Sequence, residues 1–386
     1  MRFFLSFFLL FIVNAATAQL SLSGVLSEAG TGKRLAGASV FLSNTSIGTA
    51  SNDSGGFTLQ IPPGKYDLVV SFVGYETVLK TIAASGSANI IIEMSPKAKV
   101  LPGVILDTYV KDGWKRWGPF FIRNFIGLND MSGHCTIINS EVIKFRLNRK
   151  ENILTAIASE PLLIENKALG FVIKYQLEAF RFDFGNEYVS YVGYPLFTDM
   201  KGGSVKQNRW QKKREEAYVG SMMHFMRALY VNKLVEEGFV VRRLVKTPNL
   251  EKKRVQLIYR KAPALDSIKY YDRIMAEPDE HSVYSQHTLI GDSITFRVDS
   301  VTAGMHFNNY LHIYYPKKKT SPLYWKYFPK NDKAMSQIRL LNNEPIGIQA
   351  NGNYYSPLNV LTLGYWWWSE KISTMLPFDY TPPKEK

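Results

Sequence analysis

The sequence predicts a mainly β protein, with a small N-terminal β-sandwich followed by a strand-rich α+β domain. Three observations predict it. Residues 20–94 read as short apolar–polar alternations separated by Gly, Asn, Asp and Pro clusters, with no helical period. A stretch rich in Pro and Lys then breaks the pattern at residues 96–103. Beyond it, helical periods and longer strands mix in a chain of 386 residues with 46% hydrophobic content, enough to build more than one core.

The chain begins with a different signal. Arg2 precedes an apolar run over residues 3–13, and Ala16-Thr17-Ala18 is an A-x-A cleavage site. A secretory signal peptide over residues 1–18, cut between Ala18 and Gln19, is the expectation. The run is too short to span a bilayer, which takes about 20 apolar residues. No Cys lies at the cleavage point to carry a lipid, and no later apolar stretch is long enough for a transmembrane helix. The strand signals are too irregular for an outer-membrane barrel. The chain has 1 Cys, so Cys135 cannot close an internal disulfide and folding rests on burial.

Loss of Arg2 leaves 46 basic against 33 acidic residues, a balance of +13. The excess is clustered: Lys111, Lys115 and Arg116; Lys206, Arg209, Lys212, Lys213 and Arg214; Arg242, Arg243 and Lys246, leading to Lys252, Lys253 and Arg254; and Lys317-Lys318-Lys319. Lys212, Lys213, Arg214, Lys252, Lys253 and Arg254 make the candidate basic patch. Export argues against nucleic acid as its target. The two readings are an anionic lipid or glycan surface and a solvated surface without a ligand.

In the sandwich region, residues 20–26, 38–42, 57–61, 66–73, 77–82 and 89–94 are the strands. Residues 52–56, Asn-Asp-Ser-Gly-Gly, form a dense turn, because these residue types tolerate the required backbone angles. A unit of about 75 residues buries only about 60% of its unfolded surface and is marginal alone.

Ser23-Gly24-Val25, Gly32 to Val40, Gly48 to Phe57 and Val69 to Tyr75 carry a resemblance. The segment over residues 19–95 resembles the carboxypeptidase regulatory-like domain, a transthyretin- or Ig-like β-sandwich. The resemblance implies that fold and the envelope of a Gram-negative bacterium, in the periplasm or at the outer membrane. It does not imply peptidase chemistry, since in that family the catalytic zinc lies in a separate domain. Landmarks at residues 160–166, 169–170, 220–229, 237–239 and 376–380 resemble envelope proteins that carry this sandwich before a domain of unassigned activity, here residues 104–386.

Within that second domain a helix is expected over residues 114–126, with Trp117, Phe120, Phe121 and Phe125 as its apolar set. A long helix is expected from a Ser221 cap to Gly238. Strands are expected at residues 142–147, 154–158, 171–177, 179–182, 188–192, 254–259, 293–298 and 310–314, before an aromatic, Pro-bounded tail.

The search for chemistry yields no catalytic, cofactor-binding or metal-ligating residue and implies no cofactor. None of the six histidines has an acidic residue three positions on, so the zinc carboxypeptidase motif is missing. There is no G-x-S-x-G elbow, and Gly32-Lys33 lacks the remainder of a phosphate loop. His134 and Cys135 are adjacent and would point to opposite faces of a strand, so Cys135 reads as a buried, inert thiol. His224 reads as a hydrogen-bonded structural histidine, and Asp53 as part of a turn. Tyr365-Trp366-Trp367-Trp368 is either a sugar-stacking or partner surface, or core. Asp266-Ser267, Asp292-Ser293 and Asp299-Ser300, each followed by an apolar residue, resemble short O-glycan acceptors.

The leading expectation is a non-catalytic exported envelope protein. Its sandwich would be a docking or spacer module and its basic second domain would bind a partner protein or an anionic surface. The alternatives are a glycan binder using the aromatic string and a hydrolase with an unrecognised acidic site.

Overall fold

The computed structural model describes residues 20–84, 86, 88–97, 109–259, 268–328 and 333–383. The expected signal peptide with its Ala18–Gln19 cleavage, most of the 96–103 linker, and Asp266-Ser267 lie outside the described residues. Two compact units are present: the described residues of Met1–Ser43 and Ile47–Lys99 form one, and those of Asn44–Ser46 and Val100–Lys386 the other.

The first unit is the β-sandwich. Its strands are β1 (Leu20–Glu28), β2 (Ser39–Leu42), β3 (Gly48–Ala50), β4 (Gly56–Ile61), β5 (Gly64–Ser71), β6 (Val78–Ala84) and β7 (Ala88–Met94). One sheet has the order β4-β1-β7, with β1 antiparallel to β4 and parallel to β7; the other is β3-β2-β5-β6. Strand β4 shows the pleat most clearly: Phe57, Leu59 and Ile61 are buried while Thr58 and Gln60 are exposed. They meet Leu22, Leu26, Val40, Leu68, Val70 and Ile92 in one core. The 52–56 turn is closed by the Asn52 side chain, whose Oδ1 accepts the Ser54 and Gly56 N–H groups at 3.1 and 2.8 Å. Gly24 is required by crowding, because a Cβ there would sit 2.3 Å from the Ile90 carbonyl oxygen across the β1–β7 pairing.

The second unit opens with helix α1 (Gly113–Phe125) on a sheet. The sheet comprises β8 (Cys135–Ile137), β9 (Ile143–Asn148), β10 (Ile153–Ala158), β11 (Leu162–Asn166), β12 (Phe171–Asp183) and β13 (Tyr188–Asp199). Its order is β8-β11-β12-β10-β9, with β13 also paired to β12. Two of the expected strands, 171–177 and 179–182, are one strand here, bent by an irregularity between Leu177 and Ala179. Phe121 and Phe125 of α1 are fully buried against Phe145, Phe180 and Tyr175. Ile372 and Leu376, near the C-terminal end, complete this core.

Helices α2 (Ser204–Tyr218) and α3 (Met222–Tyr230) follow. Next come β14 (Val240–Pro248), α4 (Leu250–Tyr259), α5 (Ile268–Ala276), β15 (Glu280–Tyr284), β16 (Thr295–Arg297) and β17 (Thr302–Met305). The chain continues through β18 (Tyr310–Lys319), α6 (Pro322–Tyr327), β19 (Lys333–Leu340), β20 (Ile346–Gln349), β21 (Val360–Gly364) and α7 (Tyr365–Ser369). These strands make an antiparallel sheet β15-β14-β18-β19-β21 and a smaller one, β16-β17-β20. Phe225, Met226 and Leu229 of α3 pack with Phe239, Val241, Ile313, Ile338 and Ile348 in a second core.

Three expectations are corrected. Residues 254–259 are helix, not strand: the Asn249 side chain accepts the Lys252 N–H at 3.0 Å and caps the first turn of α4. The helix capped by Ser221 stops at Tyr230 rather than Gly238, and Asn232 takes a left-handed conformation just beyond it (φ 54°). Residues 293–298 begin at the end of a 3₁₀ turn, Gly291–Ser293, and hold only the short β16. The aromatic string is helical, because Gly364 (φ 72°) ends β21 where a Cβ would sit 2.5 Å from the Met335 carbonyl oxygen.

Candidate functional site

Helix α2 is nearly all polar, with Trp210, Ala217 and Tyr218 its buried residues, so periodicity does not announce it. It is held from below by Arg214, which stacks on Phe171 at 3.7 Å and pairs with Asp199 at 2.6 Å. The same guanidinium donates to the carbonyl oxygens of Leu169 and Gly170 at 2.7 and 3.1 Å. At the C-terminal end of the helix, the Lys318 Nζ of β18 donates to the carbonyl oxygens of Glu216 and Val219, the latter at 2.9 Å. A cation thus satisfies carbonyls that a helix C-terminus leaves unpaired.

This contact opens a cleft of about 630 Å³. Lys212, Lys213, Glu215 and Glu216 of α2 form one wall and Lys317, Lys318 and Lys319 another. Tyr365 and Trp368 of α7, with Ser369, Glu370 and Thr374, line it too, as do Asn129 and Asp130. Lys212, Lys317 and Lys319 are exposed, and Lys213 pairs with Glu216 at 2.5 Å.

Glu370 is the electrostatic exception. It is half-buried, and burial pushes its carboxyl from 4.5 up to about 7, against the pull of the Lys318 ammonium and of the Met222 N–H that it accepts. Burial lowers the Lys318 ammonium, with Glu370 and Glu216 opposing. Burial raises the Tyr365 hydroxyl, and the Glu370 charge adds to it. Two further polar atoms on cleft-lining residues, Trp368 Nε1 and Ser369 Oγ, are buried without a hydrogen-bond partner.

The raised carboxyl has a stability consequence. In the unfolded chain Glu370 ionises near 4.5, in the fold near 7, so the folded state holds the extra proton between them. The stability this gives is full below the unfolded value and is lost as pH rises through about 7. Glu370→Gln is therefore expected to be neutral near pH 4.5 and to stabilise by about 1–3 kcal/mol near pH 8, after allowance for solvent screening. Urea midpoints at the two pH values measure this; a difference independent of pH would refute the assignment.

The other residues singled out from sequence fall as follows. Tyr365, Trp366 and Trp368 are 6%, 2% and 4% exposed and belong to the core, although Tyr365 and Trp368 also line the cleft; Trp367, at 38%, is the most exposed of the four. The candidate basic patch divides between two helices. Lys212 and Lys213 face the cleft while Arg214 is bound as described. On α4, Lys252 is tied to Asp279 at 2.9 Å and to the Glu277 carbonyl, and Arg254 to Glu251 at 2.6 Å. Lys253 is exposed.

His224 is buried and structural: its Nδ1 accepts the Gly220 N–H at 3.1 Å and its Nε2 meets Glu237 at 3.1 Å. Cys135 is buried, which pushes its thiol up to about 12. Ser293 and Ser300 are exposed. Among the described residues, no group of three or more His, Cys, Asp or Glu could hold a metal ion, and no helix is long and apolar enough to cross a membrane.

Sequence reading missed Glu370 and the meeting of Lys212-Lys213 with Lys317–Lys319. Glu370 did leave a signal: Glu370-Lys371 interrupts an otherwise aromatic and apolar run. Charged side chains are seldom buried unless paired, so a Glu-Lys step inside such a run is an informative exception.

Residues 22–106 match the family model of the CarboxypepD_reg-like domain. No curated protein matches the chain. Among solved structures, an interface mutant of a type II cohesin–X-dockerin complex from Acetivibrio cellulolyticus is 15% identical, over 20% of this chain and 58% of that one, with a TM-score of 0.18. The shaft pilin SpaA from Lactobacillus rhamnosus GG is 17% identical over 22% of this chain and 49% of its own, with a TM-score of 0.19. A DUF3823 family protein from Bacteroides ovatus is 13% identical over 48% of this chain and 83% of its own, with a TM-score of 0.17. The chain thus spans less than two thirds of the length of the first two.

Proposed function

We propose that this is a non-catalytic, exported protein of the Gram-negative cell envelope, whose second unit binds an anionic partner. The carboxypeptidase regulatory-like sandwich serves as its docking or spacer module. One observation carries the reading: lysines from α2 and from the end of β18, more than a hundred residues apart in sequence, line one concave cleft. Like charges are not brought together in a fold without cost, and a bound anion offsets their repulsion.

Sedimentation with polygalacturonate and with phosphatidylglycerol vesicles tests the reading, at low salt and at about 0.15 M salt, where the screening length is about 8 Å. Exchange of the exposed lysines for glutamate, in the combined variant Lys212→Glu, Lys317→Glu and Lys319→Glu, is expected to weaken binding about tenfold or more at unchanged thermal stability. Equal binding by wild type and variant would remove the cleft from the function. A partner protein that survives high salt and is insensitive to these exchanges would move the binding to another surface.

A further inference from the structure

The cleft is not uniformly basic. Asp130, Glu215, Glu216 and Glu370 share it with the lysines. Such a mixed lining suits an oxyanion set among hydroxyl groups, because carboxylates accept hydrogen bonds from hydroxyls and lysines take the oxyanion. At about 630 Å³ it is far larger than a bare ion needs and lies within the range of sites for small organic ligands. Trp368 Nε1 and Ser369 Oγ, on adjacent lining residues, are donors buried without partners. Buried donors of this kind are uncommon and carry a penalty that a polar ligand or water relieves. A concave site lined by both carboxylates and lysines, with two unpaired donors beside it, fits a sugar better than a planar lipid surface.

One group stands in the way of an anion. Ionised, Glu370 would repel it. The Glu370 charge is felt by Lys318 of β18, Tyr365 of α7, Tyr191 of β13 and Tyr354, while Glu216 of α2 and Asp130 add negative charge to the same cleft. Lys318 is its one cationic neighbour among these, and the Nζ of that lysine is already committed to the carbonyl oxygens of Glu216 and Val219.

We propose that the cleft binds the oxyanion of an acidic saccharide together with one proton from solvent, which resides on Glu370 and is donated as an O–H hydrogen bond to the bound anion. No covalent bond changes; the net event is ligand plus proton taken up. The inference rests on the anion-binding reading above. The raised carboxyl of Glu370 makes the uptake visible near neutral pH: below about 7 the proton is already in place, and above it binding must recruit one.

The test is calorimetric titration of the full-length protein with digalacturonate and with glucose 6-phosphate, which separate carboxylate from phosphate recognition. Maltose is the neutral control. Each titration is run between about pH 5.5 and 8.5, in two buffers of different ionisation enthalpy. For digalacturonate, affinity is expected to fall about tenfold per pH unit above 7, with close to one proton taken up per ligand at the alkaline end. Glu370→Gln, which keeps a donor, should bind with pH-independent affinity.

A bound saccharide with no proton uptake in wild type, or the same pH slope in Glu370→Gln, overturns the proposal while leaving anion binding intact. Failure of both acidic sugars to bind, with vesicles still captured through Lys317 and Lys319, overturns it in favour of a lipid surface. Release of reducing ends from digalacturonate by wild type and not by Glu370→Gln would instead make Glu370 a catalytic acid and overturn the non-catalytic reading.

Discussion

Replacing Trp366 by alanine is expected to destabilise the second unit by about 3–5 kcal/mol, the range for deleting a fully buried large aromatic side chain. Trp366 is 2% exposed, its ring lies 5.4 Å from that of Phe225, and its Nε1 donates to the Gly220 carbonyl oxygen at 2.9 Å. The substitution therefore opens a cavity and also leaves the Gly220 carbonyl unpaired, at the sharp turn (φ 71°) that joins α2 to α3. Trp367→Ala, one residue on, removes a ring that is 38% exposed and should cost no more than about 1 kcal/mol. Urea denaturation of the two variants decides the matter. Equal losses would mean that the aromatic string is not anchored in the core as described.

That string shows where sequence reading succeeds and where it stops. Burial of most of the aromatics was one of its two readings, because large apolar side chains seldom remain in water. The rotation that leaves Trp367 out was not legible. It follows from a five-residue helix set by Gly364, whereas an alternating strand pattern would have paired Trp366 with Trp368 against Trp367 for a different reason. The sandwich was legible almost strand by strand, since its turns are written in Asn, Asp, Gly and Pro and β4 alternates cleanly.

Helix α4 was not, because Val255, Leu257 and Tyr259 alternate like a strand while the deciding group is the Asn249 side chain just before the helix. Helix α2 offered no apolar period at all. The basic clusters were visible as runs of Lys and Arg. Which of them meet depends on β18 reaching the end of α2, a tertiary fact with no local trace. Arg214 illustrates the limit: it reads as one more surface charge, yet its guanidinium is engaged by Phe171, Asp199 and two carbonyl oxygens.

Asn166→Ala is expected to cost about 2–4 kcal/mol. The Asn166 side chain is fully buried; its Oδ1 accepts the Leu169 N–H at 3.0 Å and its Nδ2 donates to the Ser373 carbonyl oxygen at 2.8 Å. Leu169 and Ser373 are themselves fully buried, so truncation leaves a donor and an acceptor where water does not reach. The loss falls on a junction, since Ser373 Oγ also donates to Asn129 Oδ1 at 3.0 Å, and the neighbouring Ile372 closes the core under α1. Thermal denaturation should show the full loss. A variant within about 0.5 kcal/mol of wild type would mean that the C-terminal segment does not depend on this asparagine.

The buried Cys135 makes the molecule its own stopwatch. It is the only thiol in the chain, it lies on β8 at one end of the α1-covered sheet, and with its ionisation pushed up to about 12 it is nearly inert while the strand stays in place. Each encounter with a thiol reagent therefore registers an opening event at one known position. If labelling accelerates steeply with urea, the sheet opens only when the whole unit unfolds; if it is fast and nearly insensitive to urea, β8 frays alone.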